Sequence, residues 1–158
     1  MNLSYQQYKN DISPGSFKAS HKPVKTVPFI WYDPLETKLK EIDRLTTLPE
    51  NWDGYGGIPV QPIVAFNSKT FLKSIGNYYI EEITDIYPNS HGTITIEWEK
   101  NSNCKFSLEI GAKNYSYFIL NKNNHPKLVN GEDLNNHNQS ILQELDKLFR
   151  KKEALILL

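Results

Sequence analysis

Residues 93–120 alternate apolar and polar side chains in consecutive short runs, and no other feature of the chain restricts its fold so tightly. In the first run Ile94, Ile96 and Trp98 point one way and Thr93, Thr95, Glu97 and Glu99 the other. After the turn Lys100-Asn101-Ser102-Asn103, Cys104, Phe106, Leu108 and Ile110 alternate against Lys105, Ser107 and Glu109. A second turn, Gly111 to Asn114, leads into Tyr115–Leu120. A period of two residues is the signature of a strand, and short strands joined by tight turns form an antiparallel meander. Ile83 to Tyr87 reads as one more strand before the turn at Asn89–Gly92, which gives about four in all. In the last run both faces are apolar, so either Phe118 and Leu120 or Tyr115, Tyr117 and Ile119 can turn to the core.

A sheet with one apolar face needs a second layer to cover it. Asp33-Pro34-Leu35-Glu36 opens a helix: Asp33 caps, Pro34 suits the first turn, and Glu36 can close a capping box. Leu35, Leu39, Ile42 and Leu45 follow at helical spacing, and Pro49 ends the run. A second helix starts near Pro62, with Ile63, Phe66, Phe71 and Ile75 as its apolar face, and stops at Gly76. Residues 78–82 either extend it or lead into the sheet. Residues 121–133 read as an Asn-rich loop. A last helix over about 135–153 carries Ile141, Leu142, Leu145, Leu148 and Phe149 on one side and a basic end, Arg150-Lys151-Lys152, suited to a helix C-terminus. The expected architecture is therefore α+β: a two-layer domain over residues 33–158, with the meander packed against three helices. Residues 1–32, broken by Pro14, Gly15, Pro23 and Pro28, read as an extended arm that packs either on its own domain or on a partner.

At 158 residues the chain is long enough for one domain with a substantial core. Eighteen basic residues balance eighteen acidic ones. This is not the basic excess of a nucleic-acid binder. A module binding nucleic acid through Lys18, Lys22 and Lys25 is accordingly the weakest of the functional readings. The arm is basic and residues 34–100 are acidic, so the two attract each other within a chain or between chains. Cys104 is the single cysteine. It excludes an internal disulfide or a paired-cysteine metal knuckle, fits a reducing cytoplasm, and reads as a buried thiol. The opening residues MNLSYQQYKNDIS lack the apolar segment of a signal peptide, and ALILL at the end is far short of a membrane span.

Two constellations invite a functional reading. The first is the turn Asn51-Trp52-Asp53-Gly54-Tyr55-Gly56-Gly57-Ile58-Pro59. It is neither a Walker loop nor a dinucleotide fingerprint, since it follows a helix and lacks the Gly-Lys-Ser/Thr ending. It serves either as a structural helix–helix turn plugged by Trp52 or as a contact for a ligand or partner. The second is the set of carboxylates Asp53, Glu97 and Glu109, which would hold a divalent metal for phosphodiester chemistry if they converged. Against this, Glu97 and Lys100 are three apart and leave opposite faces of a strand, so the Glu-x-Lys pattern of restriction-type nucleases is missing. Glu97, Glu99 and Glu109 otherwise form a solvated sheet face. None of His21, His91, His125 and His137 has a histidine four residues away, and there is no nucleophile-elbow motif.

Trp52, Asp53, Gly54, Gly56, Gly57 and Pro59, followed by Gly92, Ile94, Ile96, Glu97, Trp98 and then Leu108, Glu109 and Ile110, carry a resemblance. The middle third of the chain resembles a group of small bacterial proteins with a Trp-Asp-Gly-x-Gly-(Ala/Gly) turn and a nearby proline. Those proteins continue with a Gly-hydrophobic-x-hydrophobic-Glu-Trp strand and a Leu-Glu-(Ile/Val) strand. The resemblance implies one folded unit joining turn and sheet. Through its association with defence-related gene neighbourhoods in bacteria and phage, it also implies an antitoxin-like role. The expected function is thus a non-catalytic protein–protein interaction subunit: an antitoxin, immunity or accessory component. Its partner would be another protein, such as the product of a neighbouring gene, or a second copy of itself, and neither nucleic acid nor a membrane is expected. Phe29, Trp31, Trp52, Tyr55 and Trp98 are the expected anchors, because Trp and Tyr dominate interface energetics. No motif calls for a cofactor. The alternative is a metal-dependent enzyme acting on nucleic acid or a nucleotide through Asp53, Glu97 and Glu109.

Overall fold

Ile94, Ile96 and Trp98 are fully buried, as are Phe106, Leu108 and, within 1% exposure, Ile110. The alternation therefore does what its period requires: it lays one face of a sheet against a core. The computed structural model describes residues 32–122, 124–134 and 137–149. Within them the chain runs α1 (Pro34–Leu45), α2 (Pro62–Ser74), α3 (Asn77–Glu81), β1 (Asp85–Pro88), β2 (Ile94–Asn101), β3 (Cys104–Ile110), β4 (Asn114–Asn121), β5 (Asn124–Asp133) and α4 (His137–Phe149). The five strands form one antiparallel sheet in the order β1-β2-β3-β4-β5. Helical side chains from Ile42, Val64, Phe71, Leu72, Ile80, Ile141 and Leu145 join its inner face in a single core. This is an α+β fold, with a sheet one strand longer and a helical layer one short helix larger than the periodicity predicts.

The extra strand is β5, over a stretch expected to be loop. Asn, Gly and Pro are poor strand formers, but β5 pairs with β4 through Tyr117↔Val129, Phe118↔Leu128 and Ile119↔Lys127. Pairing with a formed neighbour outweighs local propensity here, and the ladder is broken by register shifts between Tyr115 and Tyr117 and between Ile119 and Asn121. The open choice in β4 resolves in favour of Tyr115, Tyr117 and Ile119, which face the core at 4–7% exposure. The rings of Phe106 and Tyr117 stack at 5.5 Å, so the aromatic row continues across β3 and β4.

Helix α1 starts where its cap predicts. Asp33 Oδ1 accepts from the backbone N–H groups of Leu35 and Glu36, at 3.0 and 3.3 Å. Glu36 pairs with Lys40 at 3.4 Å. In α2 the buried face is Val64, Ala65, Ser68, Phe71 and Leu72. Ile63 and Phe66, expected in the core, are 45% and 64% exposed. Ser68 conceals the true phase: it is polar yet fully buried, and its hydroxyl donates to the Val64 carbonyl at 2.9 Å. Cys104 lies at the start of β3, half-buried. No helix among the described residues is long and apolar enough to cross a membrane.

Candidate functional site

The Gly-rich loop is built by its own side chains. Asp53 Oδ1 accepts from the N–H groups of Tyr55 and Gly57, each at 2.8 Å. Asn51 Oδ1 accepts from the Gly56 N–H at 2.7 Å, while the Asn51 N–H donates to the Gly57 carbonyl at 2.8 Å. Gly54 and Gly56 sit at φ 77° and 90°, angles that side chains resist. The Trp52 indole is half-buried and its N–H reaches the Ile58 carbonyl at 3.4 Å. The N–H groups of Tyr55 and Gly57 hold the Asp53 carboxyl below its usual range. A loop whose amides already hold Asp53 and Asn51 has filled its own anion site.

This loop is pinned to the sheet. The Ile58 N–H donates to the Ser90 carbonyl at 2.7 Å. Gly92 lies so close that a Cβ there would stand 3.1 Å from the Pro59 carbonyl oxygen. On the same end of the sheet the Asn67 amide on α2 donates to the carbonyls of Gly111 and Ala112, at 3.0 and 3.2 Å. The turn β1–β2, the turn β3–β4, the loop and the first turns of α2 therefore gather at one end of the domain. There Tyr55 is 95% exposed, Ile58 50%, Ile63 45% and Phe66 64%. The sequence points to Tyr55 but not to the other three: helical spacing puts Ile63 and Phe66 on the apolar face of α2, and no pattern marks Ile58.

Of the expected anchors, Trp98 is corrected. It is fully buried between Phe71 and Phe106, with ring centroids at 6.4 and 5.7 Å, and its indole N–H donates to the Tyr79 carbonyl at 2.8 Å. A central-strand residue on the helix-facing side has no surface to offer. Trp52 is a half-buried brace of the loop, and Tyr55 alone of the three projects outward. Phe29 and Trp31 lie outside the described residues.

The three carboxylates named as metal ligands serve separate partners. Asp53 holds the loop. Glu97, only 8% exposed, accepts from the Tyr87 hydroxyl at 2.8 Å and the Ser107 hydroxyl at 3.0 Å, and pairs with Lys105 at 2.7 Å. The expected solvated acid is thus a buried one, enclosed by its cross-strand neighbours. Burial by itself raises the Glu97 pKa, but the donors Lys105, Tyr87 and Ser107 together hold it below the ordinary value. The same burial and the adjacent carboxylate push the Tyr87 hydroxyl up to about 12. Glu109 accepts from the Thr93 hydroxyl at 2.6 Å and meets His91 Nε2 at 2.6 Å. Among the described residues no group of three or more His, Cys, Asp or Glu side chains is placed to hold one metal ion.

Thr93, His91 and Glu109 border an open depression of about 400 Å³ that continues to Lys113, Asn114 and Ser116. The three have the residue types of a nucleophile–base–acid triad but not its geometry. A triad uses one imidazole nitrogen for the nucleophile and the other for the acid. Here Nε2 faces both, at 3.1 Å from the Thr93 hydroxyl and 2.6 Å from Glu109. The Thr93 hydroxyl donates directly to the carboxylate, which leaves the ring nothing to relay. Compared with known protein families, curated proteins and solved structures, the chain matches none of them.

Proposed function

We propose that this chain is a non-catalytic protein–protein interaction subunit, an antitoxin, immunity or accessory component of a bacterial or phage defence-related system, acting in the cytoplasm. One observation carries the reading: Tyr55 is 95% exposed on a loop fixed by its own hydrogen bonds. Water solvates an exposed aromatic ring poorly, and a rigid mount means that little conformational entropy is lost when a partner covers it. Ile58, Ile63 and Phe66 extend the apolar surface around that end. The charged groups nearby support binding more readily than chemistry: Asp53 is taken by backbone amides, and Glu109 by Thr93 and His91.

The test is the native mass of the protein after mild purification from its source cell, for the wild type and for Tyr55→Ala. The expected result is a mass above that of the single chain, lost in Tyr55→Ala while the melting temperature stays within about 2 °C, since an exposed side chain contributes little to folding. A lone monomer from the wild type would overturn the reading. The arm belongs to the same proposal: removing residues 1–32 should abolish complex formation, and unchanged binding would remove it from the interface.

A further inference from the structure

We infer that the cleft between β5 and α4 binds a small organic anion, one with a single phosphate or carboxylate head on a short apolar body. Ile119 and Lys127 are cross-strand partners on β4 and β5, so their side chains leave the same face of the sheet. That face is the inner one, since Ile119 belongs to the core. His125 lies two residues before Lys127 on β5 and lines the same cleft. Glu144, Lys147 and Leu148 follow at spacings of three and four on α4, which puts them on one side of the helix. Between these two walls lies a cavity of about 210 Å³. Drug-sized pockets begin near ~300 Å³, so this one suits a small molecule and not a peptide or a nucleic-acid strand.

The charges select the sign of the ligand. Lys127 meets one oxygen of Glu144 at 2.9 Å, and Lys147 meets the other at 3.3 Å. Glu144 is the only acid among the described residues that line the cavity, so two cations share one carboxylate and a positive charge is left over. Each ammonium has three N–H donors and needs only part of them for Glu144, and the His125 imidazole adds another polar group. The lysines are also held in place. The Glu144 side chain that ties them is 17% exposed, and Lys127 lies 5.4 Å from the centre of the Tyr117 ring. An anionic head therefore meets Lys127 and Lys147, while Ile119 and Leu148 give its body an apolar wall. Ile119 stands toward the end of β4 away from the β3–β4 turn, so this site is separate from the Tyr55 surface and does not depend on the interaction reading.

Phenyl phosphate and benzoate, titrated separately into the isotope-labelled full-length chain at low salt, test the site through amide chemical shifts. At least one of them should bind saturably with a midpoint of about 1 mM or tighter, and the one that binds more tightly identifies the head group. The shifts should centre on residues 119–127 and 144–148. Lys147 is 65% exposed, so Lys147→Gln should leave the melting temperature unchanged, yet weaken binding about fivefold or more. Glu144→Gln should tighten binding about threefold or more, because it removes the one negative charge of the lining. Inorganic phosphate should bind more weakly than phenyl phosphate, since it leaves the apolar wall uncovered. The inference is overturned if neither probe gives a saturable shift up to about 20 mM. Shifts centred elsewhere overturn it too, as does binding that ignores Lys147→Gln, that weakens with Glu144→Gln, or that is equally tight for inorganic phosphate.

Discussion

Gly57 occupies a position where no larger side chain fits. A Cβ there would lie 2.8 Å from both Asp53 Cγ and Trp52 Nε1. Gly57→Ala should therefore cost about 1–3 kcal/mol, as overpacking does, which urea denaturation would read. Glu97 makes a different demand. Its carboxylate takes three donors at once, and Glu97→Gln, which cannot accept them all as well, should cost about 1–3 kcal/mol at neutral pH. The pH dependence follows from the direction of the shift. A carboxyl with a lowered folded pKa contributes stability that is complete above the unfolded value, near 4.5, and is lost as pH falls through the folded value. The melting temperatures of wild type and Glu97→Gln should therefore converge below pH 4.5. Tyr87 mirrors this on the alkaline side. Its ionisation moves from 10.0 to about 12, so stability present below pH 10 is lost between those values. Trp98→Ala should cost about 3–5 kcal/mol, as truncation of a buried aromatic does, and any binding it loses is lost through unfolding.

Among the elements, α1 shows local chemistry setting a boundary. Asp33→Ala removes the acceptor of two N–H groups and should cost about 1 kcal/mol, measured by chemical denaturation. In contrast, β5 owes its form to its neighbour. As an edge strand it exposes hydrogen-bonding groups that invite a foreign strand. Pro126 in its backbone, Gly131 at φ 70° and the register shifts against β4 all disfavour such pairing. Pro126→Thr should accordingly raise strand-mediated aggregation, visible as increased light scattering on storage at high concentration. Across the sheet and helix layers, Lys127 pairs with Glu144 at 2.9 Å and lies 5.4 Å from the centre of the Tyr117 ring. Half of Lys127 remains exposed, so this clip between β5 and α4 is screened by salt and contributes less than about 1 kcal/mol.

For the molecule as a whole, charge balance and exposed apolar surface argue in the same direction. The proposed association through Tyr55, Ile58, Ile63 and Phe66 would remove apolar area from water and neutralise few charges. Its affinity should change by no more than about threefold between 50 and 200 mM salt. A nucleic-acid binder contacting six or more phosphates would lose about a thousandfold over the same range. Sedimentation at the two salt concentrations distinguishes these outcomes. The fold brings this surface together from distant segments: the loop before α2, the outward side of α2, and two turns of the sheet that lie thirty to fifty residues further along the chain.

The chain's own periodicity determined the meander and the α+β class, and the Asp33 cap determined the start of α1, because these depend on interactions within a few residues. The residues of the Gly-rich turn also showed that it is ordered, since Asp53 and Asn51 fold it locally. The tertiary structure decided the rest. Which face of β4 turns inward depended on the Phe106 ring across the strand, since both faces are apolar. The phase of α2 was hidden by Ser68, whose hydroxyl satisfies itself inside the helix and lets the apolar Phe66 turn outward. Glu97 reads as a surface acid and is buried, because Lys105, Tyr87 and Ser107 come from separate positions to meet it. Trp98 reads as an anchor and is a core residue, because burial depends on where a strand lies in the sheet as well as on the side chain it carries.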